Sequence, residues 1–168
     1  FYNSGITSIE IPDSVTNGGA EMFAKCTSLT SVKLSKGYPV LDETFSECTS
    51  LTSVEIPEGV RSLYSAFNGC TSLASVTIPE GVENLYNTFS GCTSLTHIEV
   101  PKGTDHLNKT FLGCTSLKNV TIAEGVVYLT ETFQNCTNLT SIVIPESVTV
   151  IGENTFDSTG LLNITIPN

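Results

Sequence analysis

Six cysteines are the side chains of this sequence best able to do covalent or metal chemistry, and they are evenly spaced. They stand 22 residues apart, each opening a CTSL or CTNL motif: Cys26, Cys48, Cys70, Cys92, Cys114 and Cys136. Phenylalanines repeat at the same interval from Phe1 to Phe133, and columns of Leu, Val and Ile keep step with them. This regularity is typical of a repeat protein, in which one position of every unit has one role.

Four roles are open to this cysteine column. A structural column suits a small side chain that is often buried. Disulfides between neighbouring units are disfavoured because side chains in register point the same way. Zinc sites use close C-x-x-C pairs rather than a uniform spacing. A catalytic cysteine needs a histidine base within reach, and the two histidines, His97 and His106, fall outside the cysteine column. The pattern favours the structural role.

Each repeating unit contains one strand followed by a turn. In LASVTI, Val76 and Ile78 alternate with Ser75 and Thr77, which is the period of two of a half-buried strand. The IPEG motif that follows is typical of a type I turn. The V-x-x-L-x-x-x-F segment then returns the chain, either as a second short strand or as one helical turn. One unit cannot bury its apolar side alone, whereas stacked units form a continuous core.

The sequence therefore predicts a repeat solenoid that is mainly β. It is a right-handed coil with one eight-stranded parallel sheet and short strand or turn segments on the opposite side. Residues 1–168 form a single domain of about seven to eight repeats of 22–23 residues, which we interpret as a piece of a longer protein. The strands are expected to start near Ile6, Leu29, Leu51, Leu73, Leu95, Leu117, Leu139 and Leu161.

Composition excludes several classes of partner. The formal charge is −10 with only seven lysines and arginines, which argues against nucleic acids and anionic membranes, since both require clustered basic residues. No apolar run is long enough to span a membrane. The acidic turn positions lack the oxygen-rich pattern of a calcium loop and are interpreted as solvated charge. No cofactor and no metal are predicted.

Variation along the outward columns of the sheet marks candidate binding residues. One column is mostly serine but changes to His97 and Asn119 in adjacent units. Glu99 and Lys118 lie beside that change. The column next to it contains Thr77 and Glu55. Solenoids bind partners on such extended faces, although short polar side chains that solvate the sheet are the plainer interpretation.

Two tyrosines form a second candidate feature. Tyr64 and Tyr86 occupy equivalent positions of adjacent units, and Tyr128 lies close to that column. Stacked tyrosines can anchor a protein or a sugar. Shielding of the edge of the core is the alternative role.

The unit L-x-x-V-x-I-P-x-x-V-x-x-L, followed by F-x-x-C, resembles the leucine-rich repeats of the BspA-like bacterial surface proteins over essentially the whole chain. Members of that family are typically secreted or attached to the cell surface, are implicated in adhesion and share no catalytic residues. The resemblance implies a non-enzymatic adhesion module, extracellular or at the cell surface, that binds a protein or glycan of a host, a matrix or a neighbouring cell. Two departures are units of 22 rather than 23 residues and an I-G pair kept only at Ile151–Gly152.

A passive spacer or stalk that presents another domain is the alternative function. A spacer would tolerate replacement of His97, Glu99, Asn119 and Tyr86 without loss of any activity. An enzyme would need a cluster of titratable residues in a pocket, and the sequence assembles none.

Overall fold

Ten short strands build the fold in the computed structural model, which describes residues 1–16 and 18–167. No helix occurs in those residues. The strands are β1 (Ser8–Glu10), β2 (Ser31–Lys33), β3 (Ser53–Glu55), β4 (Ser75–Thr77), β5 (His97–Val100), β6 (Asn119–Ile122), β7 (Tyr128–Leu129), β8 (Ser141–Val143), β9 (Val150–Ile151) and β10 (Asn163–Thr165).

Eight of the strands, β1 to β6 with β8 and β10, lie side by side on one side of the solenoid, here called the main face. They are parallel and pair in the register of the repeat, so that Val54 lies opposite Val76 and Ile98 opposite Val120. The structure thus confirms the predicted solenoid of parallel strands.

The strands begin two residues later than expected. The amide of Leu29 donates a hydrogen bond of 3.0 Å to the carbonyl oxygen of Cys26, and the equivalent leucines do the same. Each leucine therefore closes the turn that precedes the strand. The pattern of apolar residues could not separate these two roles, because the leucine side chain is buried in either case.

Ladder hydrogen bonds join the main-face strands only in pairs: β1–β2, β3–β4, β5–β6 and β8–β10. The expected sheet of eight strands is therefore interrupted between β2 and β3, β4 and β5, and β6 and β8. Main-chain bonds between coils instead run without a break on the phenylalanine side, from Phe23–Thr44 to Phe133–Thr155. Because that side holds the coils together, the short strands of the main face, three or four residues long, can pair two by two.

The side of the coil that the sequence left open contains one pair of short strands and several single bridges rather than helical turns. Strands β7 and β9 pair in parallel, and single bridges join Val40 to Ser62, Ser62 to Asn84, and His106 to Tyr128. This second face flanks a column of buried leucines that includes Leu63 and Leu85.

Stacked phenylalanines fill the centre of the solenoid. From Phe1 to Phe156 the rings form one stack with centroids 5.3–6.0 Å apart. The leucine and cysteine columns pack around this stack with almost no solvent exposure. A coil is therefore stabilised mainly by its two neighbours, as the repeat predicts.

Candidate binding surface

All six cysteines lie in the core, and none forms a disulfide. Each thiol donates a hydrogen bond of 3.0–3.2 Å to the main-chain carbonyl of the phenylalanine 25 residues before it. The pairs are Cys26–Phe1, Cys48–Phe23, Cys70–Phe45, Cys92–Phe67, Cys114–Phe89 and Cys136–Phe111. The same carbonyl also accepts a hydrogen bond from the main-chain amide three residues further along its own coil, so the thiol is a second donor that links it to the next coil.

Burial makes these thiols poor nucleophiles and poor metal ligands. It raises the pKa of Cys48 and of Cys136 to about 12, and it raises the pKa of Cys92 and Cys114 well above the ordinary value. The thiolate is the reactive form of cysteine, so these side chains stay protonated at neutral pH. Among the described residues, no three His, Cys, Asp or Glu side chains are grouped so that they could hold a metal ion.

A second polar column lies in the core, and the sequence analysis missed it. Buried threonines one residue before the phenylalanines donate hydrogen bonds of 2.7–2.9 Å to leucine carbonyls of the preceding coil: Thr88–Leu63, Thr110–Leu85, Thr132–Leu107 and Thr155–Leu129. The signal in the sequence is a small hydroxyl residue that repeats next to a core aromatic. These contacts hold the coils in register beneath the surface that a partner could reach.

All eight candidate binding residues are exposed: Glu55, Tyr64, Thr77, Tyr86, His97, Glu99, Lys118 and Asn119. Six of them lie on or beside the main-face strands. His97 lies opposite Asn119 in the β5–β6 ladder, and Glu55 lies opposite Thr77 in the β3–β4 ladder. The change in the serine column therefore falls on two side chains that are direct neighbours.

A groove opens at each interruption of the main-face ladders. Groove I, between β2 and β3, has a volume of about 510 Å³. Groove II, between β4 and β5, has about 460 Å³, and groove III, between β6 and β8, has about 570 Å³. These volumes fall in the range of small-ligand pockets, but the grooves are open clefts on a sheet.

Groove II gathers three of the candidate residues, Thr77, His97 and Glu99. Strands β4 and β5 supply its walls, and Glu80 and Lys102 of the following turns complete its rim. Thr121 and Ala123 also line it, so the cleft extends across β5 to the coil of β6. Titratable and hydroxyl groups therefore surround a cleft whose floor is made by the aliphatic column of the strands. Of the other candidates, Glu55 lines groove I and Asn119 lines groove III.

The structure does not bring the tyrosines to the grooves. Tyr64 and Tyr86 stack with ring centroids 5.3 Å apart and an interplanar angle of 8°, but they lie on the second face, beside Leu63 and Leu85. Tyr128 packs on His106 at 4.4 Å rather than continuing this stack. The candidate residues are thus divided between two sides of the coil.

The sequence matches a known protein family along its whole length. The BspA type leucine rich repeat region matches in six copies, over residues 1–87 and 65–168. Among curated proteins the search found no match. In the described residues, no helix is long and apolar enough to cross a membrane.

Several solved structures are similar to this chain. A leucine rich cell surface protein from Faecalibacterium prausnitzii A2-165 is 30% identical with a TM-score of 0.84, and the match covers 95% of this chain and 47% of that one. A leucine-rich repeat protein from Bacteroides ovatus is 28% identical with a TM-score of 0.67, covering 96% and 55%. The T. pallidum leucine rich repeat protein is 25% identical with a TM-score of 0.69, covering 90% and 63%. The chain thus spans about half to two thirds of the length of these proteins.

Proposed function

The chain belongs to the family of BspA-type leucine-rich repeat proteins, and we propose that it is a non-enzymatic interaction module of a cell-surface or secreted protein. In this proposal the main face binds a protein or glycan of a host, a matrix or a neighbouring cell. The family indicates a protein-interaction module in general. The surface role draws support from the similar F. prausnitzii protein, which is described as a cell surface protein.

Groove II is the observation that carries the proposal. Thr77, His97 and Glu99 line one cleft at the point where the outward serine column changes. A spacer needs only the core columns, whereas a recognition surface needs outward side chains that differ from unit to unit and that a partner can contact together. Groove II provides such a set of side chains on β4 and β5, each of which is hydrogen-bonded to its other neighbour, β3 or β6.

Charge restricts the partner. With a net charge of −10, the chain repels polyanions at long range and attracts neutral or basic surfaces. Acidic glycans and nucleic acids are therefore weaker candidates than basic or uncharged segments of proteins.

A binding screen with paired variants tests the proposal. The purified chain would be presented at physiological salt to matrix proteins, plasma proteins and glycans. The variant His97→Ala/Glu99→Ala alters groove II, and Tyr64→Ala/Tyr86→Ala alters the exposed stack on the second face as a matched control. We expect saturable binding that the groove variant loses and the tyrosine variant keeps, with both variants folded by circular dichroism.

If the tyrosine variant lost binding and the groove variant kept it, the binding surface would lie on the second face, and the proposal for the main face would be wrong. Retention of binding in both variants would exclude groove II. If the chain bound nothing in the screen, the spacer function would be the better account.

A further inference from the structure

The three grooves recur at a fixed interval along the solenoid. Groove I lies between β2 and β3, groove II two coils further on, and groove III two coils beyond that. For hydrogen-bonded strands two coils correspond to about 9.6 Å, and the interval is somewhat longer here because one of the two steps crosses an interruption. The main face therefore presents three similar clefts in a row, about 10 Å apart.

Grooves II and III share an apolar floor and an acidic rim. Groove II has Val76 and Ile78 in its floor and Glu80 and Glu99 at its rim, with Lys102 nearby. Groove III repeats this arrangement with Glu124 as its only charged lining residue among those described. The carboxylate of Glu124 accepts hydrogen bonds from the amides of Glu146 and Ser147, which fix its position. The lining of both grooves is therefore net negative.

Groove I is charge-balanced rather than acidic. Glu55 and Glu58 line it together with Lys33 and Lys36. The ammonium group of Lys33 is already paired with Glu10, with 2.5 Å between the nitrogen and the carboxylate oxygen. We rank groove I as the weakest of the three for a basic ligand, because such a ligand would meet two ammonium groups there, against one in groove II and none among the described lining residues of groove III.

The grooves can take side chains but not a β-strand. The Cα atoms of the strands on either side still lie within 8 Å of one another. A strand inserted between them would require a separation of about 9.6 Å, which is twice the spacing of hydrogen-bonded strands. Lysine and arginine side chains suit such a cleft, because their aliphatic stems can lie on the apolar floor while the charge reaches the rim.

The interval between the grooves selects the backbone conformation of the ligand. An extended strand returns a side chain to the same side only every ~6.8 Å. A polyproline II helix returns one every three residues, or about 9.3 Å. An α-helix does so after seven residues, or about 10.5 Å, but it needs an apolar groove to bury its face. The outward columns here are mainly Ser, Thr and charged residues.

We propose that the main face binds an extended peptide in the polyproline II conformation with a basic residue at every third position, one basic side chain entering each groove. This inference rests on the proposed function and names the class of its partner. The carbonyl groups of polyproline II make no internal hydrogen bonds, so they are free to accept from exposed hydroxyls such as those of Ser53 and Ser75. The peptide would run along the solenoid axis, across the strands.

Two synthetic peptides of identical composition test the spacing. The first is (Lys-Pro-Pro)₅, and the second has the same composition with its lysines at positions 1, 2, 6, 11 and 15, so that no two of them are three or six residues apart. Titration by fluorescence polarisation should show that the periodic peptide binds at least about tenfold more tightly, because its side chains can occupy several grooves at once. Equal affinity would mean attraction by charge alone and would overturn the inference.

Charge variants of the protein locate the contact. Glu99→Gln should lower the affinity for the periodic peptide by up to about fivefold, which corresponds to the loss of one exposed ion pair. Glu55→Gln should weaken it less, because groove I is charge-balanced. Glu153→Gln removes the same charge at an exposed site outside the groove linings, so it should leave the affinity unchanged. A loss in Glu153→Gln as large as that in Glu99→Gln would also overturn the inference.

The two proposals fail in different ways. If neither peptide binds, but a protein of the screen binds and is lost in the groove II variant, the inference about polyproline II is wrong and the proposed function stands. If no peptide and no partner of the screen binds, both are wrong.

Discussion

The thiol of Cys70 donates a hydrogen bond to the main-chain carbonyl of Phe45 in the preceding coil, with 3.1 Å between sulfur and oxygen. The same bond recurs in every coil that carries a cysteine. The cysteine column therefore links each coil to the coil before it in addition to filling space. An aliphatic residue at this position could fill the volume but would remove this link between coils, leaving the carbonyl with the main-chain amide of Cys48 as its donor.

Replacement of one cysteine should therefore lower the free energy of unfolding by more than the loss of side-chain volume alone would. Cys92→Ala removes the donor to Phe67 and leaves a small cavity. We expect the free energy of unfolding to fall by about 0.5–1.5 kcal/mol, the usual net contribution of a hydrogen bond, plus a cavity term, since the carbonyl of Phe67 keeps the main-chain amide of Cys70 as a donor. Urea denaturation followed by circular dichroism measures this difference.

Thr71→Ala provides the matched control for that measurement. Thr71 also bonds to the preceding coil, but through an exposed hydroxyl 3.5 Å from the carbonyl of Thr49. Its loss should change the free energy of unfolding by less than about 0.5 kcal/mol. Equal effects of the two substitutions would show that the thiol bond contributes nothing specific.

Alkaline pH should destabilise the protein through the same thiols. Burial raises the pKa of the Cys48 thiol to about 12 from an ordinary value near 9, so the folded state holds this proton when the unfolded state has lost it. This contribution to stability is complete below pH ~9 and disappears as the pH rises towards 12. By pH 10 we expect a loss of about 1.4 kcal/mol for each such thiol.

A difference between variants isolates this effect from other groups that titrate at alkaline pH. The free energy of unfolding is measured at pH 7 and pH 10 for the parent protein and for Cys136→Ala, because the pKa of Cys136 is also raised to about 12. The variant should lose about 1.4 kcal/mol less than the parent between the two pH values. The same loss in both proteins would mean that the thiol ionises freely in the folded state.

The repeat in the sequence predicted the parts of the fold that depend on burial. Phe89, Cys92 and Leu95 recur every 22 residues and are completely buried, and the strand register also follows the repeat, since His97 lies opposite Asn119. Buried columns are easy to recognise in the sequence, because a polar residue at any of these positions would lower the stability of the fold.

Features that depend on small energy differences were not predictable. The pairing of strands rests on a few hydrogen bonds per strand, and the sequences around Val54, Val76 and Ile98 give no sign that β3 pairs with β4 while β4 remains apart from β5. The position of Tyr86 on the second face could not be inferred either, because the path of the V-x-x-L-x-x-x-F segment was open. Groove II therefore could not be recognised from sequence alone, although Thr77, His97 and Glu99 had each been singled out.

Turn conformation supplies a third stability prediction. The residue two positions after each core phenylalanine has a positive φ, whether it is Gly91 at 73° or Glu47 at 58°. Gly91→Ala should lower the free energy of unfolding by about 1–2 kcal/mol, because a side chain disfavours this conformation. The added methyl group would meet nothing closer than 3.6 Å, so the destabilisation would come from the backbone conformation rather than from a steric clash.

The same position in another coil allows a test in the opposite direction. Glu47→Gly should raise the free energy of unfolding by less than about 1 kcal/mol, because relief of strain is partly offset by the greater backbone entropy of unfolded glycine. Gly5→Ala is the control, since Gly5 has neither a positive φ nor a neighbour within 4 Å. In thermal melts, Gly91→Ala should unfold at a lower temperature than the parent protein. An equally large decrease of the melting temperature in Gly5→Ala would contradict the role of the positive φ.

The two aromatic stacks of the protein should differ widely in their contribution to stability. Phe89 is fully buried between Phe67 and Phe111, with ring centroids 5.8 and 6.0 Å away, whereas Tyr86 stacks on Tyr64 at 5.3 Å but is 37% exposed. Phe89→Ala should cost about 3–5 kcal/mol, because it opens a cavity that neighbouring coils cannot close.

Tyr86→Ala should cost less than Phe89→Ala, because the tyrosine is 37% exposed and its stacking adds at most about 1.5 kcal/mol beyond the area that it buries. Phe89→Leu, which keeps most of the volume, should fall between the two alanine variants. Urea denaturation of the three variants measures this order. If Tyr86→Ala proved as destabilising as Phe89→Ala, the exposed stack would be a structural strap between coils. The second face would then have a sufficient structural reason for its tyrosines, and a role in binding would no longer be needed to explain them.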